Sequence, residues 1–188
     1  IVAKMSKSLK NVQNPDDVIA EHGADTFRLY EMYMGPLEAS KPWNPRDIAG
    51  CFRFLQRAWR LVVDEQSGAL RLVASRDESL EKQLHRTIAK VGSDIERLSM
   101  NTAIAAMIEF VNSATAAGGI TRDQLERFDV MLSPFAPHMA EELWAMLGHD
   151  SSIADAPWPK IDEAMLRDDA IEMPVQIMGK VGGKMTVL

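Results

Sequence analysis

Between residues 77 and 98, apolar side chains recur three or four positions apart, at Leu80, Leu84, Ile88, Val91, Ile95 and Leu98. That spacing puts them on one stripe of a helix of roughly six turns. A stripe this long must be covered, and the next segment supplies a matching one. Residues 101–117 carry Ile104, Met107, Ile108 and Val111 on an inward face and stop at Gly118-Gly119. Two long amphipathic helices in succession commit the chain to helix-on-helix packing.

The rest of the chain is cut into helices by caps and breakers. Asn14-Pro15-Asp16-Asp17 and Asn44-Pro45-Arg46-Asp47 both read as helix starts, with Asn as N-cap, Pro in the first turn and an acid close behind. Gly23 ends the first helix, and a second over 24–34 stops at Gly35-Pro36. Thr121-Arg122-Asp123-Gln124 reads as a capping box for a helix running to Ser133. Pro134 bends or ends that helix, and Pro137 to Leu147 forms another before Gly148. Brief loops between these elements predict a mainly α fold, an antiparallel helical bundle. After Trp158-Pro159 the pattern changes. A short helix is expected over 162–169, and alternation at Val175, Ile177, Val181, Met185 and Val187 around Met178-Gly179 predicts a short C-terminal β-hairpin. The expected division is 1–44 as a loop with short helices, 45–160 as the bundle, and 161–188 as a linker and a hairpin opening a further domain.

Composition removes several classes of function. No apolar run reaches the ~20 residues of a membrane span, so no membrane partner is expected. Cys51 is the only cysteine, which excludes a disulfide framework and a thiolate zinc site, and no metal ligands of the protein's own are expected. A net charge of −6 means that any RNA contact must come from a local basic patch.

One such patch lies on the helix after Pro45. Ile48, Phe52, Leu55, Trp59 and Val62 fall within an arc of roughly 80° at 100° per residue. Arg46, Arg53, Arg57 and Arg60 lie near the opposite pole. They form either a solvated basic face or a surface for phosphates.

A second basic element opens the chain: Lys4-Met5-Ser6-Lys7-Ser8, followed by Lys10 and Asn11. A polar loop of this kind can close over a polyphosphate, with ammonium groups on the oxygens and hydroxyls completing the cradle. The alternative is a basic tail.

Read in order, six strings carry a resemblance. They are KMSKS at 4–8, GADTFRLY at 23–30, RFLQRAWRLV at 53–62, NTAIAAMIEFVN at 101–112, LSPFAPHMAEELWAMLG at 132–148 and VQIMGKVGGK at 175–184. Together they resemble the C-terminal half of the bacterial leucyl-tRNA synthetase family, within the class I synthetases, over essentially the whole chain. The hairpin departs from the family's usual VNGKVRGK, with Met178 in place of the turn Asn and Gly182 in place of the Arg. The lost arginine puts an RNA role for the hairpin in doubt.

The resemblance implies a parent enzyme that activates leucine with ATP and Mg2+ and transfers it to tRNA(Leu). It implies an electrostatic catalytic role on the pyrophosphate leaving group chiefly for Lys7, with Lys4 assisting. Ser6 and Ser8 would shape the nucleotide loop, and Met5 would pack near adenine. It implies that the bundle docks on the tRNA body, with Arg53 and Arg57 as main contacts and Arg46 and Arg60 flanking them. His138 and Trp144 are expected to pack and cap. The chain itself is expected to be an inactive fragment, cytoplasmic and monomeric, carrying no bound cofactor. The alternatives are a non-catalytic helical tRNA-binding module, a plain helical scaffold, or the same region of an isoleucyl, valyl or methionyl relative.

Overall fold

The structure, a computed structural model, describes residues 5, 6 and 8–167 in full and the backbone of 171–177 and 180–187. Its helices are α1 (Pro15–His22), α2 (Ala24–Tyr33), α3 (Pro45–Val62), α4 (Glu78–Glu96), α5 (Met100–Ala116), α6 (Arg122–Leu132) and α7 (Pro137–Met146). The predicted caps form as expected. The Asn14 side chain accepts from Asp16 N–H, that of Asn44 accepts from Arg46 N–H, and Thr121 and Gln124 complete a reciprocal capping box. Gly23 turns the chain between α1 and α2 at φ 86°, a left-handed value that glycine adopts without steric cost.

The two stripes meet as expected. α4 and α5 fold back on each other, with Leu84, Ile88 and Val91 against a core holding Ile104, Met107 and Val111, all fully buried. Phe110 meets Phe128 of α6 at a ring-centroid distance of 5.3 Å. Each such side chain contributes about 1.5–3 kcal/mol through burial. Leu98 departs from its stripe. α4 stops at Glu96, and Leu98 takes φ 57° in the turn to α5, 61% exposed. The turn needs a left-handed residue, and that geometry carries Leu98 off the helical face.

A second departure concerns α3. Its buried residues are Ile48, Cys51, Phe54, Leu55, Ala58, Leu61 and Val62, while Phe52 is 38% exposed and Trp59 only half-buried. The buried arc is rotated away from the predicted stripe because α3 packs against both α2 and α5. Small side chains at Cys51 and Ala58 let neighbours approach, and Phe52 instead lies 6.4 Å from the His22 ring. Ile108 is likewise half-buried, not inward.

After α7 the chain makes 3-10 turns at Ile153–Asp155 and Glu163–Leu166, the latter where a longer short helix is expected. This linker lies along α4. Asp162 N–H donates to His85 Nδ1 at 3.2 Å, and the Trp158 indole sits over Gly92, where an added Cβ would come within 3.3 Å of Nε1. Beyond it, β1 (Ile171–Ile177) runs antiparallel to β2 (Lys180–Val187), Ile171 opposite Val187, with a register irregularity between Val175 and Gln176. The Met178–Gly179 turn lies outside the described residues. Among the described residues no helix is long and apolar enough to cross a membrane.

Candidate nucleic-acid interface

Lys4 and Lys7 lie outside the described residues. Around them the loop is organised by its own polar groups. Ser6 N–H donates to Asn11 Oδ1 at 2.9 Å, Leu9 N–H donates to Ser6 Oγ at 3.3 Å, and Ser6 and Ser8 hydroxyls are 3.1 Å apart. Only one of the two hydroxyl hydrogens is used in that pair, so one donor remains for an anion. Lys10, at φ 50°, closes the turn. Met5 is 42% exposed, so its side chain is open to contact. Asn11, which holds the loop's backbone, has no periodicity or motif to mark it in the sequence.

The four arginines predicted on α3 do share one exposed face. Arg53 Nε donates to the Ala49 carbonyl one turn back at 3.1 Å, and an Arg57 guanidinium N–H donates to Asn112 Oδ1 of α5 at 2.8 Å. Arg60 alone of the four has an acidic partner, Glu65 Oε1 at 2.6 Å. Among the described residues Arg46, Arg53 and Arg57 make no ion pair. Their charges are therefore available to a ligand, in a protein whose net charge is negative.

A fifth arginine joins them. The chain after α3 reverses through Asp64–Gly68, where the Asp64 carboxylate accepts from Gln66 N–H, Ser67 N–H and the Ser67 hydroxyl at 3.1, 2.8 and 2.9 Å. The Ser67 N–H and hydroxyl contacts hold this carboxyl below its usual range. Val63 bridges to Leu70, and Arg71 then donates through its guanidinium to the Arg60 carbonyl at 2.9 Å. Arg71 thereby lines a shallow groove with Arg57, Arg60 and Thr115. Helical periodicity could not have found it, because it arrives from a loop.

Three open grooves run in series along this face. One includes Arg46 and Arg53, the next Arg53, Arg57 and Arg60 with Ile108 of α5 as its floor, and the third Arg57, Arg60 and Arg71. Shared residues make them one track. Asp47 beside Arg46 is the acidic group lining the first of them.

Buried carboxylates elsewhere serve the fold. Glu81, 2% exposed, receives Gln124 Nε2 at 2.8 Å and the Arg127 guanidinium at 2.8 Å, tying α4 to α6. Burial alone would raise its pKa, but those hydrogen bonds and the charges of Arg127 and Arg76 bring it below the usual range. Asp94 behaves alike: burial is outweighed by Lys90 Nζ and Thr102 Oγ1, each at 2.6 Å. Asp129 differs. It is fully buried with neither oxygen hydrogen-bonded among the described residues, and burial followed by the charge of Glu141 pushes its pKa up to about 8.

His138 stands at the start of α7 with an exposed side chain and is held by Asp25, while Trp144 is buried and stacks on His149 at 3.7 Å. Trp144 therefore packs as expected, whereas His138 neither packs nor caps: its exposed ring pairs with Asp25, which is the residue that caps α7.

Comparison with known proteins places this geometry. The family model described as the anticodon-binding domain of tRNA ligase matches residues 77–188, and that described as tRNA synthetases class I (I, L, M and V) matches residues 3–41. Leucine–tRNA ligase of Mycobacterium leprae (strain TN) is 50% identical over 189 residues, 98% of this chain and 19% of that protein. Leucine–tRNA ligase of Rhodopirellula baltica is 50% identical over 189 residues, 98% of this chain and 20% of its own length. A crystal structure of the ternary complex of Agrobacterium radiobacter K84 agnB2 LeuRS, tRNA and LeuAMS superposes with a TM-score of 0.80 at 33% identity, covering 98% of this chain and 26% of that one. The chain spans about a fifth of the length of the curated relatives it matches. With more than half of its residues inside the first family match, and leucine–tRNA ligases as its homologues at 50% identity, the chain belongs to the anticodon-binding domain family of tRNA ligases.

Proposed function

We propose that this chain is the tRNA-holding part of a leucine–tRNA ligase, together with the loop that serves ATP. The observation carrying the proposal is the track of five arginines, four of them without an ion pair among the described residues, on and beside one helix. Arginines on a rigid face contact phosphates without reading bases, which suits docking on the body of tRNA(Leu). Arg53 and Arg57 are the principal contacts, Arg46 and Arg60 flank them, and Arg71 extends the track. The tRNA in the similar Agrobacterium complex supports this reading.

At the N-terminal loop, Lys7 and, secondarily, Lys4 stabilise charge on departing pyrophosphate when leucine is activated. Ser6 and Ser8 shape the loop, and Met5 packs towards adenine. Met5, Ser6 and Ser8 offer no carboxylate, so Mg2+ would arrive on the nucleotide's phosphates and not on a cage of protein ligands. The working form is a cytoplasmic monomer. Filter binding of tRNA(Leu) at low salt tests the track: the Arg53→Ala/Arg57→Ala double variant should retain less RNA than wild type and show a salt slope shallower by about 2. Equal retention by the two proteins would sink it.

A further inference from the structure

Beside the arginine track lies a further recess of about 280 Å³, lined by Leu55, Gln56, Trp59, Arg60, Glu65 and Met139. Gln56 and Arg60 line both this recess and the central arginine groove, so the two are continuous. Trp59 is only half-buried, and it lines the recess. Met139 also lines the recess, and its backbone N–H is fixed by Asp25 Oδ2 at 2.8 Å. An indole, a leucine and a thioether line the recess together with the Gln56 amide and the Arg60–Glu65 ion pair, a set that offers an apolar surface and polar edges to a planar aromatic ligand. It does not match a phosphate, which would gain nothing from the apolar walls.

We propose that this recess takes an unpaired nucleobase of the RNA whose phosphates lie on the arginine track, stacked on Trp59 with Gln56 at its polar edge. The inference rests on the reading of the track as an RNA surface. The occupant follows from continuity: a chain whose backbone runs over Arg53, Arg57 and Arg60 passes the recess mouth, and an unpaired base is the apolar, planar group it can offer there. Base stacking on an aromatic side chain is tolerant of sequence, so the site adds affinity and register without reading the anticodon.

Trp59→Leu keeps apolar bulk in the helix but removes the π-face, and Trp59→Phe keeps a smaller one. Binding of tRNA(Leu) to the purified protein should weaken roughly 10-fold for Trp59→Leu and less for Trp59→Phe. The salt slope should be unchanged in both, because no phosphate contact is lost. The Arg53→Ala/Arg57→Ala variant should instead flatten the slope. If Trp59→Leu binds as wild type while the arginine variant fails, the stacking site is overturned and the track stands. If neither variant differs from wild type, both fall. Ultraviolet crosslinking on the unaltered protein covers the case in which Trp59→Leu unfolds. A tRNA adduct on the peptide containing Trp59 supports the site, and adducts confined to other peptides overturn it.

Discussion

Asp25 caps a helix that begins 112 residues further along the chain, pairing with His138 by both backbone and side chain. Its carboxylate accepts from His138 N–H at 3.3 Å, from Met139 N–H at 2.8 Å, and faces His138 Nδ1 at 2.7 Å. One turn on, the Arg28 guanidinium donates to the Pro134 carbonyl at 2.9 Å, just past the end of α6. α2 thus sets an acid on the positive end of α7 and a base beside the negative end of α6. The segment that follows the lysine loop is clamped by charge to the bundle that carries the arginines.

Removing that clamp should loosen the junction. Asp25→Ala takes two orphan N–H groups of α7 from their acceptor and should cost about 1–2 kcal/mol, the scale of a lost N-cap. Urea denaturation is the check, with Asp25→Asn retaining part of the loss because its amide oxygen still accepts. No change in the midpoint for Asp25→Ala would mean that solvent caps α7 equally well.

The lysine loop is tested in a ligase that contains this segment. Lys7→Ala should lower leucine-dependent ATP–pyrophosphate exchange by roughly 10²-fold, the usual cost of one electrostatic donor to a developing anion. An unchanged exchange rate would remove Lys7 from the mechanism.

Two buried carboxyls should move stability with pH in opposite directions. Glu81 has a folded pKa below its unfolded value of about 4.3, so its contribution is present above that value and is lost as pH falls through the folded value. Glu81→Gln should flatten the acid limb of the stability curve. Asp129 has a folded pKa of about 8 against about 3.9 unfolded, so the folded state holds the extra proton between them. Its contribution is full below about pH 4 and is lost as pH rises towards 8. Asp129→Asn should remove that decline, read by chemical denaturation across the neutral range. A wild-type curve flat over the same range would contradict the assignment.

Gly119 tests the packing around α5. It takes φ 138°, and an added Cβ would come within 2.9 Å of Val73 Cγ1. Gly119→Ala should therefore lower the melting temperature by several degrees, through backbone strain and the clash together. A gain in melting temperature would show that the Val73 strand of chain yields without cost.

The local signals were legible because they act over a few residues. Asn14, Asn44 and Thr121–Gln124 cap helices through bonds closed within one turn, and glycine or proline stops α1, α2, α5, α6 and α7 by its own backbone limits. The α4 and α5 stripes were legible for a related reason, since each has a single dominant partner. α3 has two, and a stripe picked by apolar size alone placed Phe52 inward when Cys51 and Ala58 are the residues that let neighbours close in. The arginines of α3 could be read from their spacing, but Arg71 could not, because a turn held by Asp64 brings it back.

By itself, then, the chain's sequence determined the helices, the caps at Asn14, Asn44 and Thr121, the basic pole of α3 and the family to which the motifs belong. All of these depend on residue type at short spacing. Tertiary structure alone decided which arc of α3 is buried, that Asp25 caps α7, that Asp129 has no hydrogen-bond partner among the described residues, and that Trp59 and Met139 line one recess. Those outcomes depend on groups far apart in sequence meeting in a dense core, where burial and the loss of water set each group's charge and exposure.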